Sequence, residues 1–420
     1  MKRRVTSTEA LYLAVEKSIG SFNMLRVMIG KFTDREGEID RIRDHWNAVC
    51  LKHPQFLFVL KRNYWVEPKV GLSPGIEVVN EPLDLTRIPR LKPLDYHQSA
   101  IRLWVFENGL VFQAAHALTD GMGLQNLIVD FFNDLNESGS EPLFNAQMVI
   151  ETEDSQSIHS GVNGLNGLYG AFITEREFAL RYIKKPRGFL PKVDKRFRVQ
   201  SERPNLSFRK QASWIYHQAE IGQTLSGITE KQLLAKMIAT TAQWMQQIHP
   251  NSSVRCMVPV DLRKYEPSLP MDGNLSLPLW LELKGNESVY KVSEDLRNRI
   301  KQKEPLYNAE RFPMEFVGMG YIKKAIFLCL TRWGHFTKRY PISLIVSFMG
   351  KHQSTNYGFD GFRCDTVWST AVYSGICPMQ LNVTFDEKHI NLCISYHNQL
   401  FTAQQFGELF ELLTRPSDVG

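Results

Sequence analysis

The chain has 420 residues, of which 43% are hydrophobic and 22% are charged. This length suggests two or three domain-sized units, and the composition is that of a folded globular protein, which excludes global disorder. Fifty basic and forty-four acidic residues give a net charge of +6, an excess too small to indicate a partner by itself. No stretch approaches the roughly eighteen apolar residues that a membrane-spanning helix needs.

Cysteine usage and the N-terminal residues indicate a compartment. Six cysteines without a C-x-x-C pair favour reduced thiols over a disulfide framework. Glu9, Glu16 and Lys17 interrupt the apolar run that a secretory signal peptide would need. We expect a cytoplasmic protein without a transmembrane segment, and we expect it to be a monomer.

Hydrophobic periodicity in the first half alternates between strand and helix spacing. Asn108-Gly109 lies between two apolar runs and favours the tight turn of a β-hairpin. The second strand of that hairpin leads directly into residues 116–121 (HALTDG), and apolar residues at helical spacing follow. Strands are predicted over 22–32, 56–60, 64–66, 101–106 and 110–115, and helices over 39–51 and 124–135.

The second half repeats this α/β alternation after a poorly patterned stretch. Residues 137–175 are interpreted as a loop or lid, and the charged, proline-containing residues 184–204 as a linker. The predicted domains are therefore 1–183 and 205–420, joined by the basic linker 184–204. Strands are predicted over 254–260, 275–283, 342–348, 379–385 and 389–396, and helices over 229–248, over 289–300 and after the capping-box pair Thr402 and Gln405.

The strongest chemical signal is His116, followed four residues later by Asp120-Gly121. A loop at the end of a strand is a common location for functional side chains, and histidine is the most frequent general base. The same residues also have a purely structural interpretation, with His116 bonded to a nearby carbonyl and Asp120 as a helix N-cap. Spacing and context support the two interpretations about equally.

Residues 116–121 resemble the HxxxDG motif of the chloramphenicol acetyltransferase-like superfamily. That group includes peptide-synthetase condensation domains, plant BAHD acyltransferases, wax ester synthases, and polyketide-associated and alcohol acetyltransferases. Residues 7–16 resemble the N-terminal entry of the wax-synthase and polyketide-associated branch, 258–263 with Gly273-Asn274 resemble the D-x-R and GN segment, and 346–350 resemble a later strand. The likeness covers nearly the whole chain, and HxxxDG is its specific motif.

Two departures from the superfamily pattern bear on the type of acceptor. Condensation domains and wax synthases usually carry a second histidine before the catalytic one, and here that position is Ala115. The DFGWG motif of the plant enzymes has no clear counterpart, although Trp368 lies in the corresponding region. Both departures favour a stand-alone alcohol acyltransferase over a peptide-bond-forming domain.

The resemblance implies an α/β chain of two chloramphenicol-acetyltransferase-like domains with an active-site tunnel between them. His116 would be the general base that takes the proton of an acceptor alcohol or amine as it attacks a thioester. Asp120 and Gly121 would be architectural, with Asp120 paired to Arg263 of the second half. Asn274 and Trp368 are candidate tunnel residues.

The predicted function is therefore transfer of an acyl group from acyl-CoA or an acyl carrier protein, through its phosphopantetheine thioester, to an alcohol. We expect no resident cofactor, no metal and no nucleic acid partner. Two alternatives remain open, an amide-forming relative of condensation domains and a non-catalytic relative that binds acyl chains or a carrier protein. The oxyanion stabiliser has no identifiable sequence signal.

Positive charge is concentrated in residues 181–210, which contain eleven basic and two acidic residues. Their net charge of +9 exceeds that of the whole chain. A solvated linker and a surface that receives the phosphate end of the donor are about equally supported. The candidate phosphate contacts are Lys184, Lys185 and Arg187.

Reversal of Lys184, Lys185 and Arg187 to Glu should raise the KM for the thioester donor, because exposed cations attract phosphate over about 8 Å at physiological salt. The dependence of donor KM on ionic strength should become flatter, while acceptor KM and Tm change little. Steady-state kinetics at several salt concentrations measure this. A donor KM that stays unchanged with both coenzyme A and carrier-protein thioesters would remove the linker from donor binding.

Overall fold

The computed structural model describes most of both halves of the chain. The loop or lid predicted over 137–175, apart from its first residue, and the candidate phosphate contacts Lys184, Lys185 and Arg187 lie outside the described residues, so both stay predictions. The described residues are 2–5, 9, 12–13, 16, 23–62, 64–67, 74–137, 197–198, 212–221, 229–250, 254–267, 269, 273–306, 339–340, 342–375 and 377–415.

Strands and helices alternate along the described chain, as the sequence predicts. Among these residues, no helix is both long enough and apolar enough to cross a membrane. The helices are α1 (Arg35–Lys52), α2 (Gly121–Glu137), α3 (Glu230–Ile248), α4 (Val289–Lys301) and α5 (Ala403–Thr414). The strands are β1 (Lys2–Arg4), β2 (Asn23–Phe32), β3 (Val59–Lys61), β4 (Tyr64–Val66), β5 (Gly75–Val78), β6 (Ile101–Phe106), β7 (Gly109–Ala115), β8 (Phe197–Arg198), β9 (Ala212–Glu220), β10 (Val254–Asp261), β11 (Ser276–Leu283), β12 (Arg339–Tyr340), β13 (Leu344–Lys351), β14 (Phe362–Ser369), β15 (Met379–Phe385) and β16 (His389–His397).

Local signals account for most of these elements. The β6–β7 hairpin forms where it is predicted, but its turn residues are Glu107 and Asn108, and Gly109 already belongs to β7, opposite Phe106. The capping box of Thr402 and Gln405 begins α5, as predicted. The strand predicted over 56–60 is wrong in its first part. Pro54–Leu57 forms a single 3-10 turn instead, because proline favours the start of a helical turn, and β3 begins only at Val59.

The N-terminal lobe is a five-stranded sheet with the strand order β14-β2-β7-β6-β5, packed against α1 and α2. Its strands are antiparallel apart from β5 and β6. Trp46 of α1, Phe112 of β7 and Phe131 of α2 meet in edge-to-face contacts inside the core. This packing holds the end of β7 and the start of α2, between which residues 116–120 lie.

The C-terminal lobe is a six-stranded sheet with the strand order β11-β10-β13-β15-β16-β9. Its buried side chains form one apolar core with α3 and α5, and α4 packs beside α3. β10, β13 and β15 are parallel neighbours, and the other pairs are antiparallel. The predicted α/β class with two sheet-and-helix units is therefore confirmed.

β14 departs from the predicted division of the chain. Residues 362–369 fall inside the predicted C-terminal domain, yet β14 pairs with β2 along its whole length, with Trp368 opposite Val27. The bounds 1–183, 184–204 and 205–420 remain a prediction. β14 comes from the C-terminal half of the chain but completes the sheet of the N-terminal lobe. An extended segment can complete either sheet, and its own sequence does not determine which.

Polar side chains of the C-terminal sheet hold β14 from the other side. Asn391 Nδ2 and Thr384 Oγ1 each donate to Val367 O at 3.0 Å, and Asn382 Nδ2 donates to Thr370 O at 3.0 Å. All three side chains are buried. Because each satisfies a carbonyl of the crossing segment, the lobes share a hydrogen-bonded seam in addition to apolar contacts.

Candidate active site

His116 lies where the central strand of the N-terminal sheet ends. β7 pairs with β2 and β6 up to Ala115, after which the chain turns and Leu118 N donates to Ala115 O at 2.9 Å. Ala115 before the histidine and Ala117 and Leu118 after it are buried in the core, so the turn is anchored on both sides of His116. The sequence prediction of a strand-to-loop junction at His116 is confirmed.

The His116 imidazole is held by the loop that follows it. Its Nδ1 lies 3.3 Å from Thr119 O, and a carbonyl can accept only from a protonated nitrogen, which assigns the proton to Nδ1 and the lone pair to Nε2. The ring also stacks on Tyr12, with centroids 4.4 Å apart and an interplanar angle of 24°. The arrangement leaves Nε2 as the basic nitrogen.

Burial lowers the pKa of His116 below its ordinary value, and the Thr119 carbonyl and the charge of Asp120 only partly offset this effect. A protonated imidazole loses hydration when it is buried, so the neutral form is favoured. His116 is consequently neutral at neutral pH. That is the protonation state that a general base requires.

Asp120 has a different environment, because N–H groups occupy both of its oxygens. Oδ1 accepts from Met122 N at 3.1 Å and from Gly123 N at 2.8 Å, which caps the start of α2. Oδ2 accepts from Leu275 N at 2.7 Å and from Arg263 Nη1 at 3.1 Å. The carboxylate is buried and joins the two lobes, which favours the architectural role implied by the resemblance.

Arg263 lies in the single turn Leu262–Lys264 after β10 and contacts two carboxylates. Its Nη1 is 3.1 Å from Asp120 Oδ2 and 2.8 Å from Asp261 Oδ1, and its Nη2 donates to Gly273 O at 3.2 Å. Burial opposes the charge of Arg263, but the two carboxylates outweigh this and raise its pKa. Burial also raises the pKa of Asp261, although Arg263 opposes that shift.

Gly273 and Asn274 hold the backbone of the motif loop. Asn274 Nδ2 donates to His116 O at 2.7 Å, and Asp120 N donates to Gly273 O at 3.2 Å. Gly273 has a φ of +110°, a conformation that a side chain would strain. Asn274, a candidate tunnel residue from sequence, thus has a direct positioning contact with the catalytic candidate.

Gly121 and Trp368 make packing contacts with the C-terminal lobe. The end of the Met349 side chain, from β13, occupies the space that a Cβ at Gly121 would take. Trp368 is 4% exposed and packs edge-to-face on Tyr216 of β9, in the apolar cluster between the lobes. The structure thus brings His116, Asp120, Gly121, Arg263 and Asn274 together and places Trp368 in a packing position in the seam.

Sequence reasoning missed three contacts of this site. Tyr12 stacks on His116, Thr119 supplies its carbonyl, and the backbone N–H of Leu275 binds Asp120. Tyr12 lies inside the resemblance over 7–16, which was the available signal. The two backbone groups carry no sequence signal at all, because every residue has them.

A buried polar cluster lies behind the motif, between β2, α2 and the segment that follows β13. The hydroxyl of Tyr357 accepts from Gln125 Nε2 at 2.6 Å and lies 2.8 Å from His352 Nδ1. Arg26 is 2% exposed beside them, and burial lowers its pKa to about 10 despite the opposing influence of Tyr357. Burial and the charge of Arg26 lower the pKa of His352 to about 3. Within the described residues, Arg26 Nη1 has no hydrogen-bond partner and the side chain has no ion pair.

Replacing Arg26 with Met should raise the free energy of unfolding by about 1–4 kcal/mol, because a buried charge without a partner costs more than a packed apolar side chain. The gain should be the same between about pH 6 and 8, since Arg26 is charged throughout that range. Urea denaturation measures it. Arg102→Met is the control, because that buried arginine donates to Lys92 O at 3.1 Å and its loss should destabilise. A destabilised Arg26→Met variant would contradict the prediction.

The ion pair of Asp120 and Arg263 predicts an asymmetric double-mutant cycle. Arg263→Met should destabilise by about 3–5 kcal/mol because it leaves two carboxylates together, and Asp120→Asn should cost less because Arg263 keeps Asp261. Asp120→Asn should still destabilise, because Asn has one acceptor oxygen where Asp120 uses two. The double variant should cost less than the sum of the single variants.

Denaturation at about pH 7 and pH 5 tests whether the stability deficit of Arg263→Met grows or shrinks as the pH falls. Burial already raises the pKa of Asp261, and without Arg263 nothing opposes that shift through this contact, so its folded-state pKa should lie further above its unfolded value. Ionised carboxyls of that kind destabilise the fold, and the penalty fades as the pH falls through the folded-state pKa. The deficit of Arg263→Met should therefore shrink at the lower pH. Additive single variants with a pH-independent deficit would show that the residues are not coupled.

Comparisons with known proteins agree with this architecture. A scan against protein-family models found no match, and neither did a search of curated protein sequences. Solved structures do match: polyketide synthase associated protein 5 from Mycobacterium tuberculosis has a TM-score of 0.61 at 13% identity, over 100% of this chain and 98% of that one.

Two condensation domains match equally widely. A variant of the starter condensation domain of rhizomide synthetase, in complex with C8-CoA and Leu-SNAC, has a TM-score of 0.60 at 11% identity, over 99% of this chain and 93% of that one. The condensation domain from Monacolin K polyketide synthase has a TM-score of 0.59 at 12% identity, with coverage of 99% and 97%. The chain therefore has the two-lobed chloramphenicol acetyltransferase-like fold of condensation domains.

Proposed function

We propose that the protein is an acyltransferase that moves an acyl group from a thioester donor to an alcohol, with His116 as the general base. The observation that carries the proposal is the state of the imidazole. Burial favours its neutral form, and Nδ1 faces Thr119 O, which assigns the lone pair to Nε2. Asp120 and Arg263 hold the two lobes together beside it.

In the proposed reaction, His116 alone carries the proton from the acceptor to the leaving thiolate. Nε2 takes the hydroxyl proton of the acceptor while the acceptor oxygen attacks the thioester carbonyl. The tetrahedral intermediate then collapses, the carbon–sulfur bond breaks, and the departing thiolate receives the proton from the imidazolium. The products are an ester and a free thiol, and His116 returns to its neutral form.

A thioester donor is supported by one of the solved neighbours, because the rhizomide synthetase condensation domain was solved with C8-CoA. We therefore propose acyl-CoA or an acyl carrier protein as the donor. An amine acceptor is the second candidate, since condensation domains are among the most similar solved structures. The alcohol is preferred because Ala115 replaces the second histidine of those domains.

Substitution of His116 tests the proposal. His116→Ala and His116→Gln should each lower acyl transfer by a factor on the order of 10²–10⁴, because general-base catalysis contributes that much. Gln keeps an amide that can donate to Thr119 O, so its Tm should stay close to that of the wild type. Free thiol released from octanoyl-CoA is measured with a panel of alcohols and amines, and mass spectrometry identifies the ester or amide.

The pH profile adds a second readout. The active form of His116 is neutral, so kcat/KM should fall as the pH drops through its pKa, which lies below the usual histidine value. Near-wild-type turnover in His116→Gln would remove His116 from the mechanism. No thiol release by the wild type with any acceptor would favour the non-catalytic alternative.

A further inference from the structure

We infer that Tyr12 is a positioning residue, whose ring holds the His116 imidazole in the orientation that proton transfer requires. The inference rests on the proposed function, because it assigns Tyr12 a role in that same site. The rings are 4.4 Å apart at 24°, a near-parallel stack in which the phenol covers one face of the imidazole. Tyr12 belongs to the N-terminal segment and His116 to the end of β7, so only tertiary packing brings them together.

The stack adds to the restraint that Thr119 O gives the imidazole. The distance of 3.3 Å from Nδ1 to Thr119 O is beyond the usual range for N–H···O bonds, so this bond restrains the ring weakly. The imidazole is attached through two rotatable bonds, so its orientation depends on the contacts that its faces make. A flat aromatic surface against one face limits the rotation and keeps Nε2 directed at one place.

The segment that carries Tyr12 is anchored independently of the stacked ring. Glu9, Tyr12 and Glu16 are in helical conformation, and Glu9 is buried. The Tyr96 hydroxyl hydrogen-bonds the Glu16 carboxylate and lies 2.9 Å from Asn23 Oδ1 at the start of β2. Truncating the Tyr12 ring should therefore leave the segment attached to the N-terminal lobe.

The ring also shapes the protonation of His116. It excludes water from one face of the imidazole and so contributes to the burial that lowers the pKa of this histidine. Removing it should admit water and let the pKa rise toward the ordinary value of about 6.5. A purely structural contact would change stability and leave the titration of His116 unaffected.

Three variants separate the possible roles of Tyr12. Tyr12→Ala removes the ring, Tyr12→Leu keeps apolar volume without a flat face, and Tyr12→Phe removes only the hydroxyl. Tyr12→Ala should lower kcat about tenfold or more, as expected for a misplaced catalytic group, with little change in donor KM. The kcat of Tyr12→Leu should lie between those of Tyr12→Ala and the wild type, and Tyr12→Phe should keep most of the wild-type activity. Tyr290→Ala, at a tyrosine of α4 that is 76% exposed, is the matched control and should change nothing.

Titration of His116 by NMR gives a readout that does not depend on activity. Its resonance is assigned by its absence in His116→Gln, and its pKa is measured in each variant by chemical shift against pH. Tyr12→Ala should raise the pKa, and Tyr12→Phe should leave it at the wild-type value. The acid limb of kcat/KM should shift in the same direction.

The outcomes separate this inference from the proposed function. An unchanged kcat and an unchanged His116 titration in Tyr12→Ala would overturn the inference while leaving the proposed function intact. If Tyr12→Phe behaves like Tyr12→Ala, the hydroxyl and not the stacked ring is responsible, and the inference is overturned in that way. If the wild type transfers no acyl group but the titration shifts as expected, the proposed function fails and the contact stands as a determinant of His116 protonation.

Discussion

The buried ion pair of Asp120 and Arg263 is the interaction on which the geometry of the site depends. Asp120 caps α2 with one oxygen and binds the C-terminal lobe with the other, through Arg263 and the N–H of Leu275. A carboxylate used in this way cannot also serve as a proton acceptor. Its charge instead compensates a cation that would be costly to bury alone, and its position determines where the His116 loop can lie.

Neutral hydrogen bonds join the lobes elsewhere in the seam, beside the apolar cluster around Trp368. β14 completes the N-terminal sheet through its backbone, and Asn382, Thr384 and Asn391 of the other sheet bind the carbonyls that it presents. Hydrogen bonds have directions, whereas apolar contacts allow sliding. A seam of this kind fixes the register of one lobe against the other, and with it the distance between groups that the two lobes supply.

Burial is the largest cause of the pKa shifts of His116, Arg26 and His352. His116 is kept neutral beside a carboxylate because Asp120 is already compensated by Arg263, so desolvation prevails over attraction. Arg26 and His352 show the same effect without compensation: the histidine is neutral and the arginine stays charged at a cost. The difference between the clusters is the presence of a carboxylate.

The sequence by itself determined the α/β class, the helices and strands with clear periodicity, and the short motif around His116, because these depend on neighbours within a few residues. The Asp120–Arg263 pair came from the superfamily resemblance, since the chain separates the two residues widely. Only the tertiary structure decided that β14 belongs to the other sheet, that Tyr12 covers His116, and that Leu275 N binds Asp120. These are contacts between distant segments, made partly by backbone groups that every residue carries. Local pattern holds no information about them, and only tertiary packing selects them.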